Sequence, residues 1–230
     1  MNSVNKYLTN EYFDTHPTWD VEDSPWKAKQ IEKIINRNKL SPKLIGDIGC
    51  GAGEVLSQLH MQMDENITFV GYEISPHAFD LCKLRIKDRL QFKMENFFES
   101  NDFFDIVMAI DVFEHVESYF DFLRQFREKG KYKIFHIPLD LSVQSVLRIT
   151  PILRGRERNG HLHYFTKDTA LAVLKDTGYE IIDYFYTPGM DLRKTIRDFL
   201  FRLPRKIFFK INKDLAVRIL GGYSLIVLAK

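Results

Sequence analysis

The chain has 230 residues, which is enough for one domain with additions and a large core. Its 33 basic and 31 acidic residues nearly balance, so the overall charge gives no argument for a nucleic-acid partner. Two cysteines, Cys50 and Cys82, make neither a disulfide framework nor a Cys-x-x-Cys zinc site. The amino terminus is polar, without the apolar core of a signal peptide, and no apolar run reaches the roughly 20 residues of a membrane span. These features favour a cytoplasmic protein.

Residues 1–40 are predicted to form an N-terminal helical segment rich in aromatic side chains. Ser24-Pro25 is a typical helix start, and the helix should continue to about Asn38. The stretch 19–27 could fold over a bound ligand as a lid, or its aromatic side chains could simply pack against the domain.

From residue 43 onward, apolar strands alternate with helical stretches. The predicted strands cover 43–48, 67–73, 90–95, 104–110 and 132–137, and the predicted helices cover 54–63, 75–87 and 119–129. This alternation is typical of a parallel sheet with helices on both faces. The strands are nearly continuous apolar runs, which agrees because both of their faces would be buried.

Beyond the fifth strand the alternation changes. Two stretches, 139–160 and 188–221, are predicted to be helical additions to a single domain of residues 1–230. The first ends in a basic loop, and most of the second is helical, basic and broken near Pro204. The remaining predicted elements are a helix over 166–176 and strands over 179–187 and 223–229.

The most informative stretch is Leu44–Glu54, where an apolar strand ends in Asp47 and a Gly-x-Gly-x-Gly turn leads into a helix. Glycines let the backbone pass close under a ligand, which would lie at the helix N-terminus and the carboxyl end of the strand. The spacing differs from the Gly-x-Gly-x-x-Gly of dinucleotide sites. Asp47 would repel a pyrophosphate and attract a cation, so we expect a cationic ligand. Glu73, which ends the second strand, would suit the ribose of either kind of ligand.

Four segments, in this order and spacing, resemble the motifs of class I S-adenosylmethionine-dependent methyltransferases: Asp47–Gly53, Gly71–Ser75, Glu95–Phe97 and Asp105–Val116. The segment Gly160–Thr166 is similar to a feature of members that act on small molecules. S-adenosylmethionine carries an ammonium and a sulfonium group but no phosphate, in keeping with the expected cationic ligand. The resemblance implies an α/β, Rossmann-like, seven-stranded and mostly parallel sheet with helices on both faces. Its antiparallel last strand would lie between the fifth and the sixth.

The resemblance also implies a set of cofactor-binding residues. The glycine turn would line the methionine and ribose portions, Glu73 would bind the ribose and Ile74 would pack on the adenine. The third motif would contact the adenine amino group, and the end of the fourth strand would close over the cofactor. The full set is Asp47, Gly49, Cys50, Gly51, Gly53, Glu73, Ile74, Glu95, Asn96, Phe97, Ile110, Asp111 and Val112.

An oxygen acceptor needs a base to take its proton, and histidine titrates near neutrality. His115, His161 and His163 fall near predicted strand ends or in the loops after them, so they are our candidate catalytic residues. Each could equally have a structural role.

Asp111-x-x-Glu114-His115 resembles the E-x-x-E-H segment that binds a divalent metal in ubiquinone-type O-methyltransferases. Two carboxylates and an imidazole could ligate magnesium or a transition metal. Aspartate replaces the first glutamate here, however, and many methyltransferases with a similar Glu-His pair bind no metal. We therefore assign no metal ligand.

The leading hypothesis is methyl transfer from S-adenosylmethionine to a small molecule, more readily at oxygen than at nitrogen or carbon. The acceptor could be a sugar or polysaccharide precursor, a quinone-like or lipid intermediate, or another metabolite. The alternatives are a methyltransferase for RNA or protein and a protein that binds S-adenosylmethionine without catalysis. We expect no nucleic-acid partner, and the sequence leaves the oligomeric state open. The basic stretch 190–219 could cap the acceptor pocket, contact an anionic membrane or be a solvated surface.

Overall fold

The computed structural model describes residues 3–189 and 196–230. Its strands are β1 (Leu44–Ile48), β2 (Thr68–Tyr72), β3 (Leu90–Lys93), β4 (Phe104–Ile110), β5 (Gly130–Pro138), β6 (Ile181–Pro188) and β7 (Tyr223–Ala229). Its helices are α1 (Ser3–Leu8), α2 (Asn10–Thr15), α3 (Ser24–Arg37), α4 (Glu54–Gln62), α5 (Pro76–Lys83), α6 (Tyr119–Arg127), α7 (Val143–Arg148), α8 (Thr150–Arg154), α9 (Lys167–Asp176), α10 (Ile196–Ile211) and α11 (Lys213–Leu220). Short turns of other helix types cover Val21–Asp23, Phe97–Glu99, Phe113–His115 and Gly155–Asn159.

The seven strands form one sheet in the order β3-β2-β1-β4-β5-β7-β6. Strands β1 to β5 pair in parallel, whereas β7 is antiparallel to both β5 and β6. The predicted α/β, Rossmann-like sheet, with its antiparallel last strand between the fifth and the sixth, is therefore confirmed. The strand order reverses between β1 and β4, so a crevice opens at the carboxyl ends of these two strands.

The sheet is buried on both faces. In β4, the adjacent residues Ile106 and Val107 are both fully buried but belong to different cores. The core on one face includes Ile31 of α3, and the core on the other includes Phe126 of α6 and Leu174 of α9. The two-sided burial explains why the strands are continuous apolar runs rather than alternating ones.

Two helix starts follow the sequence signals. Helix α3 begins at Ser24, with Pro25 in its first turn. Helix α9 follows Thr166, whose hydroxyl accepts a hydrogen bond from the amide of Thr169 in a capping box.

The predicted break near Pro204 is wrong, because α10 continues through this proline to Ile211. A proline removes one amide donor from a helix, which α10 tolerates. The chain turns instead at Asn212, whose side chain caps α11 by accepting a hydrogen bond from the amide of Leu215. The first part of the predicted basic stretch, with Arg193 and Lys194, lies outside the described residues. Among the described helices, none combines the length and apolarity needed to cross a membrane.

Candidate active site

The glycine turn after β1 has a backbone that requires glycine. Gly51 and Gly53 have φ of +57° and +77°, in the left-handed region. A Cβ on Gly51 would lie 2.7 Å from Cδ1 of Trp19, and one on Gly53 would lie 2.5 Å from Cε1 of Phe92. The turn is thus held between an aromatic ring of the N-terminal segment and the core, with α4 beginning directly after it.

Two carboxyl groups lie buried beside this turn. Glu73 accepts hydrogen bonds of 2.8 Å from the amides of Gly51, Ile74 and Ser75. Asp47 is 2 % exposed, and its Oδ1 has no hydrogen-bond partner among the described residues. Burial and the neighbouring Glu73 raise the pKa of Asp47 well above its ordinary value. A buried carboxyl pair with an unpaired oxygen fits a cationic ligand, which would supply the missing partner.

The other predicted cofactor residues divide into two groups. Ile74 is 43 % exposed after β2 and can contact a ligand, and Val112 lies on Gly49, 3.2 Å from where a Cβ on that glycine would be. Phe97, in contrast, is buried and packs edge-on against Tyr72 in the core. The Asn96 side chain accepts a hydrogen bond from the amide of Phe98 and so caps its own turn.

The last three predicted cofactor residues differ in their exposure to solvent. Glu95 is exposed beside Lys93. Cys50 is buried, and burial raises the pKa of its thiol, which therefore stays protonated. Ile110 is buried at the end of β4.

Asp111 is occupied by two partners that the sequence analysis missed. Its carboxylate oxygens contact Nδ1 of His136 at 2.6 Å and Nζ of Lys27 at 2.8 Å, and Nε2 of His136 is 2.9 Å from the Thr187 hydroxyl. Burial alone would raise the pKa of Asp111, but the His136 and Lys27 charges hold it well below its ordinary value. Asp111 thus ties together α3, β5 and β6.

Glu114, His115 and His161 form a cluster of titratable groups beside the crevice. Their nearest ligand-type atoms all lie within 4.8 Å of one another. Glu114 is 1 % exposed, and neither carboxyl oxygen has a hydrogen-bond partner among the described residues. Its Oε1 is 3.8 Å from Nε2 of His115, and Nδ1 of His161 is 2.6 Å from Oδ2 of Asp140.

The pKa shifts of Glu114 and His115 disfavour the charged form of each group. Burial and the charge of Asp111 raise the pKa of Glu114 well above its ordinary value. Burial and the neighbouring His161 lower the pKa of His115 to about 4. At neutral pH, His115 is therefore an uncharged imidazole, and the raised pKa of Glu114 favours its carboxylic acid form.

Tyr7 of α1 sets the proton position on His115. Its hydroxyl is 2.9 Å from Nδ1 of His115 and 3.0 Å from the carbonyl oxygen of Asn159. A carbonyl only accepts, so the Tyr7 proton goes to Asn159, and the Tyr7 oxygen then accepts the proton of Nδ1. In the neutral imidazole, both hydrogen bonds are satisfied only when Nδ1 of His115 carries the proton and Nε2 carries the lone pair.

His163 lies outside the cluster. Its Nε2 donates to the carbonyl of Val116 at 3.0 Å, and its ring lies 4.5 Å from that of Tyr119. These contacts point to a structural role.

The N-terminal segment lies over both halves of the site. Trp19 covers Gly51, Tyr12 packs against both Trp19 and Tyr7, at 4.8 and 4.9 Å between ring centres, and Tyr7 reaches His115. These contacts agree with both roles predicted for the segment, a lid over a bound ligand and simple packing against the domain.

The family model for a methyltransferase domain matches residues 26–184. Over 109 residues the chain is 35% identical to the mitochondrial ubiquinone biosynthesis O-methyltransferase of Schizosaccharomyces pombe, covering 44% of this chain and 38% of that protein. The fold resembles that of magnesium protoporphyrin IX methyltransferase from Synechocystis PCC 6803, solved with bound SAH (16% identity, 89% and 82% of the two chains, TM-score 0.60). It also resembles a structure from the complex of the Haloferax volcanii Trm112 methyltransferase activator with a putative methyltransferase (14% identity, 95% of each chain, TM-score 0.65).

Proposed function

The chain belongs to the class I S-adenosylmethionine-dependent methyltransferases, and we propose that it methylates a hydroxyl group of a small-molecule acceptor, with His115 as the base. The observation that carries this proposal is the uncharged His115, whose Nε2 lone pair is left free by the bond from Nδ1 to Tyr7. Such a group is unprotonated at neutral pH, so its lone pair is available to accept a proton in the reaction.

The cofactor is proposed to bind over the glycine turn. The unpaired oxygen of Asp47 would meet the positively charged methionine part of the cofactor, and Glu73 would accept hydrogen bonds from the ribose hydroxyls. Ile74 and Val112 would contact the cofactor beside the glycine turn. Asp111, Phe97 and Asn96 are left out of the contact set because their side chains are engaged elsewhere.

The chemistry is an in-line displacement at the methyl carbon. The carbon–oxygen bond to the acceptor forms as the carbon–sulfur bond breaks, and the sulfonium becomes the neutral thioether of S-adenosylhomocysteine. The hydroxyl proton passes to Nε2 of His115. One positive charge disappears from sulfur as one appears on the imidazole, so the buried site does not gain net charge. Alignment of acceptor and methyl group supplies much of the rate.

The proposal requires no metal, although Glu114, His115 and His161 have the donor types and spacing for a divalent ion. An ion held there would lower the pKa of an acceptor hydroxyl. Asp111 is unavailable as a further ligand because both of its oxygens are engaged.

Oxygen as the acceptor atom is supported by the similarity to the ubiquinone biosynthesis O-methyltransferase. A sugar or polysaccharide precursor, a quinone-like compound and a lipid intermediate remain the proposed acceptor classes. We further propose a cytoplasmic location, which is supported by the free, buried thiols of Cys50 and Cys82.

Transfer of labelled methyl groups to a panel of small hydroxyl compounds tests the proposal. We expect His115→Ala to lower turnover at least about a hundredfold while the affinity for S-adenosylmethionine, measured by calorimetry, changes little. His163→Gln is the matched control, because glutamine keeps a donor for the Val116 carbonyl. Full turnover by His115→Ala, or labelling of RNA or protein instead of small molecules, would contradict the proposal.

A further inference from the structure

The first acceptor-side addition, α7 and α8, has an inverted pattern of burial. Ser142 and Ser145 are buried at 5 % and 8 % exposure. The large apolar side chains point outward instead, with Val146 at 55 % and Leu147 at 82 %. Val143, Ile149 and Leu153 are also exposed. A surface helix surrounded only by water normally shows the opposite arrangement. The exposed face of α7 and α8 is therefore suited to contact with an apolar environment.

Basic side chains border this apolar face. Arg148, Arg154, Arg156 and Arg158 are exposed, and none of them forms an ion pair with a carboxylate in the described ranges. Within this segment only Glu157 carries a negative charge, so the four guanidinium groups leave a local positive charge that the balanced composition conceals. A negatively charged partner would complement it.

The second addition continues the pattern. Helix α11 packs against α7, and α10 packs against α11. On α10, Leu203, Ile207 and Ile211 follow one another at intervals of four residues and are 66 %, 51 % and 77 % exposed. The exposed Lys206 and Lys210 lie on the same helix. The spacing of four places the three apolar side chains on one face of the helix.

We propose that α7, α8 and α10 form a docking surface for a membrane that contains anionic lipids. Apolar side chains would enter the boundary between headgroups and acyl chains, while the arginines and lysines contact lipid phosphates. No described helix is long and apolar enough to span a bilayer, so the protein would lie on its surface.

Two other partners fit this surface less well. An RNA would satisfy the arginines but leave the exposed Val146, Leu147 and Ile211 without apolar contact. A second copy of the chain in a symmetric dimer would bring the same arginines towards one another.

The position of the surface relates it to the acceptor side. Helix α7 begins shortly after Asp140, and the basic loop ends just before His161, its hydrogen-bond partner. The loop also contacts the N-terminal segment, through Lys6 to the carbonyl oxygens of Glu157 and Arg158 at 2.8 and 3.1 Å. Docking would therefore turn this side of the domain towards the lipid.

The test is co-sedimentation of the full chain with vesicles of phosphatidylcholine, with and without phosphatidylglycerol. We expect binding to the anionic vesicles only, with a loss of at least about tenfold in Leu147→Glu. Leu84→Glu is a matched control, since Leu84 is 80 % exposed on a different part of the surface, and it should bind like the unmodified protein. The single substitutions Arg154→Ala, Arg156→Ala and Arg158→Ala should each lower the affinity for anionic vesicles roughly fivefold.

Circular dichroism and melting temperature confirm that each variant is folded. Equal binding by Leu147→Glu and Leu84→Glu would overturn the proposal. It would also be overturned if the unmodified protein ignored anionic vesicles but retarded RNA in a gel shift, or if it formed a dimer that Leu147→Glu dissociates. Because none of these measurements uses methyl transfer, their failure is distinct from failure of the proposed activity.

Discussion

Asp111 was expected to bind the cofactor, but in the structure it pairs with Lys27 and His136. A substitution can distinguish this structural role from cofactor binding. Replacing it with asparagine keeps its shape and one acceptor oxygen, which can still receive the Nδ1 proton of His136. The ion pair with Lys27, at 2.8 Å, is lost. The two side chains are only 19% and 21% exposed, so the Lys27 ammonium would be left largely buried, with only the smaller effects of the Asp23 and Asp20 charges to stabilise it.

Removing one partner of a buried ion pair costs about 3–5 kcal/mol. The partial exposure and the retained His136 bond place Asp111→Asn near the lower end, at about 3 kcal/mol. For a protein of this size this corresponds to a decrease of roughly 6–12 °C in melting temperature. Asp121→Asn is the control, because its pair with Arg124 is exposed at 65% and 59%, and we expect no measurable change.

The pH dependence has a defined sign. The pKa of Asp111 is lower in the folded state than its ordinary value of 3.8. Its contribution to the free energy of unfolding is therefore complete above about pH 5 and is lost as the pH falls below about 4. The difference in stability between the unmodified protein and Asp111→Asn should shrink in that acidic range. Urea unfolding followed by circular dichroism measures it.

Calorimetry with S-adenosylmethionine completes this test. We expect folded Asp111→Asn to bind the cofactor within about threefold of the unmodified protein, because no cofactor contact is removed. An unchanged melting temperature combined with a large loss of affinity would show that Asp111 binds the cofactor and that our account of its role is wrong.

Three further predictions concern the site itself. Asp47→Asn should weaken S-adenosylmethionine binding about tenfold to a hundredfold in calorimetry, since the positive charge of the cofactor favours the ionised carboxyl and asparagine cannot supply that negative charge, and unchanged affinity would refute the placement of the cofactor. Tyr7→Phe should lower turnover about fivefold to tenfold with little effect on cofactor affinity, because His115 loses one hydrogen bond that fixes its proton; unchanged turnover would refute that role. Glu114→Gln should retain the melting temperature and turnover within about twofold, because burial favours the uncharged form of this carboxyl, which glutamine resembles, and chelator treatment should have no effect. Loss of activity in both the variant and the chelated enzyme would reveal a metal at this cluster.

The sequence predicted the sheet well because local signals suffice for it. The seventh strand was predicted at its observed bounds, Tyr223–Ala229, and the glycine turn was recognised from spacing alone. Both depend on apolar runs and turn chemistry within about ten residues. The break predicted at Pro204 was wrong for the same reason. Proline is a local helix-breaking signal, but α10 continues through it in the folded protein.

The site was harder to predict because its contacts join distant parts of the chain. Tyr7 and His115 are 108 residues apart, and no motif marks an N-terminal tyrosine as a partner of a later histidine. The family resemblance placed Asp111, which directly follows β4, in the cofactor site, yet its partners come from α3 and β5. The sequence shows which side chains are apolar, polar or charged. It does not show which polar groups lack a hydrogen-bond partner after folding, as the Glu114 carboxyl does among the described residues.

The central claim is that Nε2 of His115 takes the proton of the acceptor hydroxyl. Turnover of the unmodified enzyme and of His115→Ala should be compared over acceptors whose hydroxyl groups differ in acidity. If His115 is the base, the loss caused by His115→Ala will shrink steadily as the hydroxyl becomes more acidic, because less help is then needed to remove its proton. A loss that is the same for every acceptor would contradict the claim and assign His115 to positioning alone.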